Sequence, residues 1–224
     1  MSTPSSHSGA AIHPKAKSHF VSMEQQFDAS KMGMWLFLIT EILLFSGMFV
    51  AYTVYRVWHP EVFKALSGAL DWRLGGLNTL VLLASSFTVA LAIHHIQNDN
   101  RRGLIVNLVL TIIFAGVFMF IKYLEYTGKF AHGVFPGAHF APHGEHYEAY
   151  DIPYAAQFFS IYFVMTGIHG VHVLVGMGVF AVIVARALRG AFNSEYYTPV
   201  ELSGLYWHLV DIIWIFLFPL LYLI

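Results

Sequence analysis

Polar and apolar positions divide this chain into five long apolar stretches separated by polar breaks: 33–55, 74–96, 104–124, 155–185 and 203–224. A helix crosses the roughly 30 Å hydrocarbon layer of a bilayer with about 20 residues, and each stretch is long enough. Helices are required, because lipid offers no partner to the open edge of a strand. A membrane barrel would instead show short alternating strands. The pattern therefore predicts an all-α, polytopic membrane protein, a bundle of five transmembrane helices. At about 1.5 Å per residue the 155–185 run measures roughly 46 Å, so it must tilt or project beyond the bilayer.

Residues 1–30 form a polar tail without the apolar core that a signal peptide needs. Residues 31–224 read as a single membrane domain with no internal repeat. The connections 58–73, 97–103 and 186–202 are short, whereas 125–154 is long and rich in His, Gly and Pro. Lys122 lies near the end of its span, where it can snorkel. Seven Lys and Arg (Lys15, Lys17, Lys31, Arg101, Arg102, Arg186, Arg189) fall on the side of the N-terminus, and five (Arg56, Lys64, Arg73, Lys122, Lys129) fall on the other. The positive-inside rule then predicts a cytoplasmic N-terminus and an outward C-terminus.

Composition agrees. Of the 224 residues, 57% are hydrophobic and 11% charged, against about 25% charged in a soluble domain. That excludes a disordered chain, a nucleic-acid binder and an ordinary soluble enzyme. The net charge of −1 offers no global steering toward an anionic partner. The absence of cysteine excludes disulfides, iron–sulfur clusters, covalently attached c-type heme and thiolate copper sites.

The candidate chemistry lies in ionisable groups at membrane depth. Glu41 sits eight residues into its span. A bare carboxylate there is expensive, so the neutral acid is expected. It is either a proton-exchanging or headgroup-sensing site, or a packing contact. His169 and His172, three apart, share a stripe with Tyr162, Thr166 and Gly176 that should face protein. They fit a metal or heme site, and they fit interhelical hydrogen bonding beside small residues. His208 and Asp211, also three apart, fit a carboxylate-oriented imidazole or a buried lock between helices. The loop histidines His132, His139, His143 and His146, with Glu145, Glu148 and Asp151, match no standard zinc spacing. His94 and His95 read as the wet end of the second span. Adjacent positions diverge by about 100° around a helix, so the two do not easily share an ion.

Three stretches resemble subunit III of the heme-copper oxidases, the cytochrome c and quinol oxidases: KMGMWLFLITEILLFSGMF at 31–49, FFSIYFVMTGIHGVHVLVG at 158–176 and YWHLVDIIWIFLF at 206–218. NTLVLLASSFTVA at 78–90 supports them, and order and spacing agree from about residue 31 onward. The resemblance implies an accessory subunit of a proton-pumping terminal oxidase in aerobic respiration, with no catalytic residue and no redox metal of its own. It implies packing against subunit I and other oxidase subunits, which carry the heme and copper. It also implies bound phospholipid, support of proton uptake, and a place in a bacterial cytoplasmic membrane. Glu41 matches the family's buried glutamate, which reacts with carbodiimides. Glu125, in KYLEY, resembles a recurrent acid at a helix end. Those two are the proton- or lipid-linked candidates. His169, His172, His208 and Asp211 match polar helix-packing positions. The longer form of the family has seven helices, and the first two have no counterpart here. The His-rich loop 131–146 has none in the family. Two other readings compete: a small transmembrane b-type cytochrome, and a proton-coupled transporter using Glu41.

Overall fold

The computed structural model describes residues 23–137, 140 and 153–224. Six helices account for nearly all of them: α1 Met23–Trp58, α2 Pro60–Gly68, α3 Trp72–Gln97, α4 Arg101–Ala131, α5 Ala155–Leu188 and α6 Thr198–Tyr222. All except α2 are long and apolar enough to cross a membrane. The chain is thus an all-α polytopic membrane protein with five candidate spans.

Local chemistry sets the helix ends. Asp71 accepts from the backbone N–H groups of Arg73 and Leu74 and starts α3. Asn100 accepts from the Gly103 N–H and starts α4. Each cap satisfies donors that the first helical turn leaves unpaired. Pro60 stands at the start of α2, where its missing N–H costs nothing.

The helices outrun the apolar stretches. α1 begins at Met23, inside the polar tail, and α4 continues through Glu125 to Ala131. The connection 58–73 is not a plain loop, because it contains α2. Val62, Phe63, Leu66 and Ser67 are buried on one face of that helix. It is too short to span a membrane and folds back against the bundle end. There the Ser67 hydroxyl donates to the Leu221 carbonyl at 2.9 Å, and Tyr52 of α1 donates to the Leu220 carbonyl. These contacts satisfy carbonyls that the last turn of α6 leaves free.

Helices α3 to α6 form the core. Trp207, Trp214, Tyr162, Phe118, Phe158, Phe159 and Phe180 are fully buried within it. Small residues admit the large ones. A Cβ on Gly176 would stand 2.6 Å from the Trp207 ring, and one on Gly103 would stand 2.5 Å from the His95 ring. α1 is peripheral: 11% of its apolar window is buried, against 50% for α6. A groove of about 590 Å³ runs between α1 and α6, lined by Trp35, Leu38, Phe45, Phe49, Leu209 and Phe216 among others.

The N-terminal part of α1 lies on the same side as the α3–α4 turn and the α5–α6 loop. Lys31 pairs with Glu201 at 3.2 Å. Asp99, in a left-handed conformation at φ 55°, accepts from both the N–H and the hydroxyl of Ser194, each at 2.7 Å. Those two bonds hold its carboxyl below the usual carboxylate range. Arg101 donates to the Leu188 carbonyl beside them.

Candidate functional site

Glu41 sits midway along α1, on the edge that meets α5. His172 reaches it from α5, with Nε2 at 2.8 Å from Oε2. The other ring nitrogen, Nδ1, lies 2.8 Å from the Ile168 carbonyl. A carbonyl only accepts, so Nδ1 carries a hydrogen. One proton is then left for the contact with Glu41. It can sit on the carboxyl, facing a neutral imidazole, or on Nε2, facing a carboxylate. In both arrangements the pair is neutral overall, which is how it tolerates the depth. The ring of Phe45 meets the imidazole edge-on at 5.3 Å, and Tyr206 donates to the His172 backbone carbonyl at 3.0 Å. The two side chains keep 16% and 17% exposure, so the pair is open to a small apolar reagent.

The second constellation surrounds Glu125. Its Oε1 accepts from the Tyr162 and Tyr222 hydroxyls, each at 2.7 Å. Its Oε2 accepts from Lys122 Nζ at 2.8 Å. Lys122 also donates to the same two tyrosine oxygens, at 3.1 and 3.0 Å. Lys129 stands 3.9 Å from Oε1. One carboxylate therefore ties α4, α5 and α6 together, and Lys122 does not snorkel. The reason is that its three donors find partners inside the bundle. Of these residues the sequence marks Glu125 as a site, Tyr162 as part of a stripe and Lys122 as a snorkelling side chain, and it gives no site role to Lys129 or Tyr222. The signal was there, since Lys122, Glu125 and Lys129 stand at i, i+3 and i+7 on one helix, so that Glu125 is three residues from one lysine and four from the other. It went unread because the helix was expected to stop near Leu124.

The remaining candidates separate. His169 and His172 share a stripe but not a site, because His169 turns inward between the rings of Phe118 and Trp214, at 5.6 and 5.1 Å. His208 Nδ1 meets the Ser86 hydroxyl of α3 at 3.0 Å, and the Asp211 carboxyl interacts with that same hydroxyl. Ser86 is thus the hub of this α3–α6 contact. Neighbouring bonds reinforce it, from Trp207 Nε1 to Ser85 at 2.9 Å and from Trp214 Nε1 to Thr79 at 3.1 Å. The three deep histidines have three different surroundings and do not converge on one centre. Among the described residues, no group of three or more His, Cys, Asp or Glu is placed to hold a metal ion. His139, His143, His146, Glu145, Glu148 and Asp151 lie outside the described residues.

Comparison with known proteins gives consistent matches. A family model described as cytochrome c oxidase subunit III matches residues 17–224. Cytochrome c oxidase subunit 3 of Gadus morhua is 33% identical over 202 residues, covering 85% of this chain and 67% of that protein. The protein of the same name from Thermostichus vulcanus is 32% identical over 201 residues, covering 88% of each chain. That from Prototheca wickerhamii is 29% identical over 202 residues, with 85% and 67% covered.

Proposed function

Since the chain belongs to the cytochrome c oxidase subunit III family, we propose that it packs against the catalytic subunit I, holds phospholipid and supports proton uptake there. It is an accessory subunit of a heme-copper oxidase, an integral membrane protein that works in association with other oxidase subunits. Heme and copper belong to the partner subunits, and this chain carries no catalytic residue.

The observation that carries this reading is the Glu41–His172 pair. It joins a carboxyl and an imidazole at membrane depth, partly open, on the weakly packed helix of the bundle. A proton that can move between carboxyl and imidazole without changing net charge is chemically suited to buffer uptake by a neighbouring subunit. It is not suited to electron transfer. The apolar groove between α1 and α6 has the chemistry of acyl chains and supports the lipid-holding part of the proposal. The excess of basic residues on the N-terminal side supports a cytoplasmic N-terminus and an outward C-terminus in a bacterial cytoplasmic membrane.

The b-type cytochrome reading is not favoured, because the deep histidines diverge. The transporter reading is not favoured either, since the family match runs over nearly the whole chain. The test is isolation through a tag on this chain in mild detergent. A heme- and copper-bearing subunit I should accompany it in fixed ratio, with phospholipid retained. Recovery of a folded chain with a heme band of its own and no subunit I would refute the assignment.

A further inference from the structure

Among the described residues, five buried side-chain atoms in the α3–α6 core have no hydrogen-bond partner: Nδ2 and Oδ1 of Asn78, Nδ1 and Nε2 of His169, and Oδ1 of Asp211. Asn78 and His169 have no exposure at all, and Asp211 has 4%. They come from three different helices of the same bundle.

The surroundings of His169 explain why no protein group serves it. His169 is flanked by Phe118 and Trp214. The Trp214 indole N–H is already given to Thr79. The Lys122 ammonium, 5.2 Å from the Trp214 ring, spends all three hydrogens on Glu125, Tyr162 and Tyr222. Other buried hydroxyls of these helices are also paired: Thr88 with Thr111, Thr166 with Tyr126, and Ser85 with Trp207. Buried polar groups left unsatisfied are rare, and ordered water is the usual partner when the protein offers none.

We propose that Asn78, His169 and Asp211 anchor internal water molecules inside the α3–α6 bundle. The donor set selects water over other ligands. The Asn78 amide and a neutral His169 imidazole each present both a donor and an acceptor. An anion would want donors only, and a metal ion would want converging lone pairs. The water sites make the centre of the bundle wet although its outer faces meet lipid. They also give the fully buried imidazole a role that does not involve a cofactor.

The test uses the intact oxidase complex. A high-resolution cryo-EM map should show solvent density within hydrogen-bond distance of the Asn78 amide and the His169 ring. In the His169→Phe complex the density beside position 169 should vanish while that at Asn78 persists. The thermal midpoint for release of this chain should fall, because the water loses a partner. A dry centre makes the opposite prediction: no density at either residue, and a midpoint that rises on His169→Phe because an unsatisfied polar group has been removed. Asn78→Leu provides a second, independent variant with the same two outcomes. Dry maps, or a raised midpoint in both variants, would overturn the proposal.

Discussion

His172 Nε2 lies 2.8 Å from Glu41 Oε2, across 131 positions of sequence. No charged residue on α1 itself could have announced this partner, yet it decides what the glutamate can do. A carboxyl alone in hydrocarbon has no hydrogen-bond partner, whereas this one faces an imidazole nitrogen.

That relationship predicts how Glu41 reacts. A carboxyl that carries its own proton reacts with a hydrophobic carbodiimide, giving the proton to a carbodiimide nitrogen as its oxygen attacks the central carbon. Replacing His172 with Leu removes the competing base and leaves the acid alone in an apolar setting. Labelling of Glu41, read by mass spectrometry of the intact complex, should therefore become faster. An unchanged rate would mean that the two side chains do not share a proton.

Glu125 should matter more for stability than any other acid of the bundle. Its side chain has 6% exposure and faces Lys122 and Lys129. Glu125→Ala strands both cations, and removing one partner of a buried pair costs about 3–5 kcal/mol. Retention of this chain in the complex during detergent and heat challenge should drop sharply. Combining Glu125→Leu with Lys122→Met and Lys129→Met should recover much of the loss, because no buried charge is then left unpaired.

Gly176 is a packing requirement. An added Cβ would stand 2.6 Å from the Trp207 ring, which has no exposure and is tied to Ser85. Gly176→Val should cost about 1–3 kcal/mol as an overpacked contact, read as a lower thermal midpoint with an unchanged heme spectrum. Gly178, with open space around its Cβ position, should accept Val and serves as the control.

The loop contact on the N-terminal side should respond to acid. Asp99 has its carboxyl held below its ordinary value of 3.8 by the Ser194 hydroxyl and N–H. A depressed carboxylate stabilises the fold above its unfolded value and loses that contribution as pH falls through the folded one. The contact should thus be intact at neutral pH and loosen only below about 3.8. Amide exchange at Ser194 would report this, and Asp99→Asn should remove the pH dependence.

Much of the architecture is legible in the sequence, because lipid permits few backbone solutions. Five apolar runs of sufficient length leave little besides five helices. α2 escapes such reading because Val62, Phe63 and Leu66 are too few to signal a span, and only tertiary contact gives them a buried face. The role of Glu125 was half legible: the acid stood out, but its partners Lys122 and Lys129 were assigned to a helix end and a loop. The Glu41–His172 pair was least legible. Both residues were conspicuous, yet nothing in either segment says that α1 lies against that side of α5. The same holds for His208 and Asp211, which share a helix turn and meet through Ser86 of a third segment.

The central claim is that Glu41 and its partner serve the oxidase without touching a redox centre. Oxygen consumption over many turnovers, measured on wild-type and Glu41→Gln complexes with heme and copper assayed in both, tests it most directly. The account predicts full metal content, an initial rate close to wild type and a shorter active lifetime in the mutant. A fully assembled mutant that has lost heme or copper would contradict it.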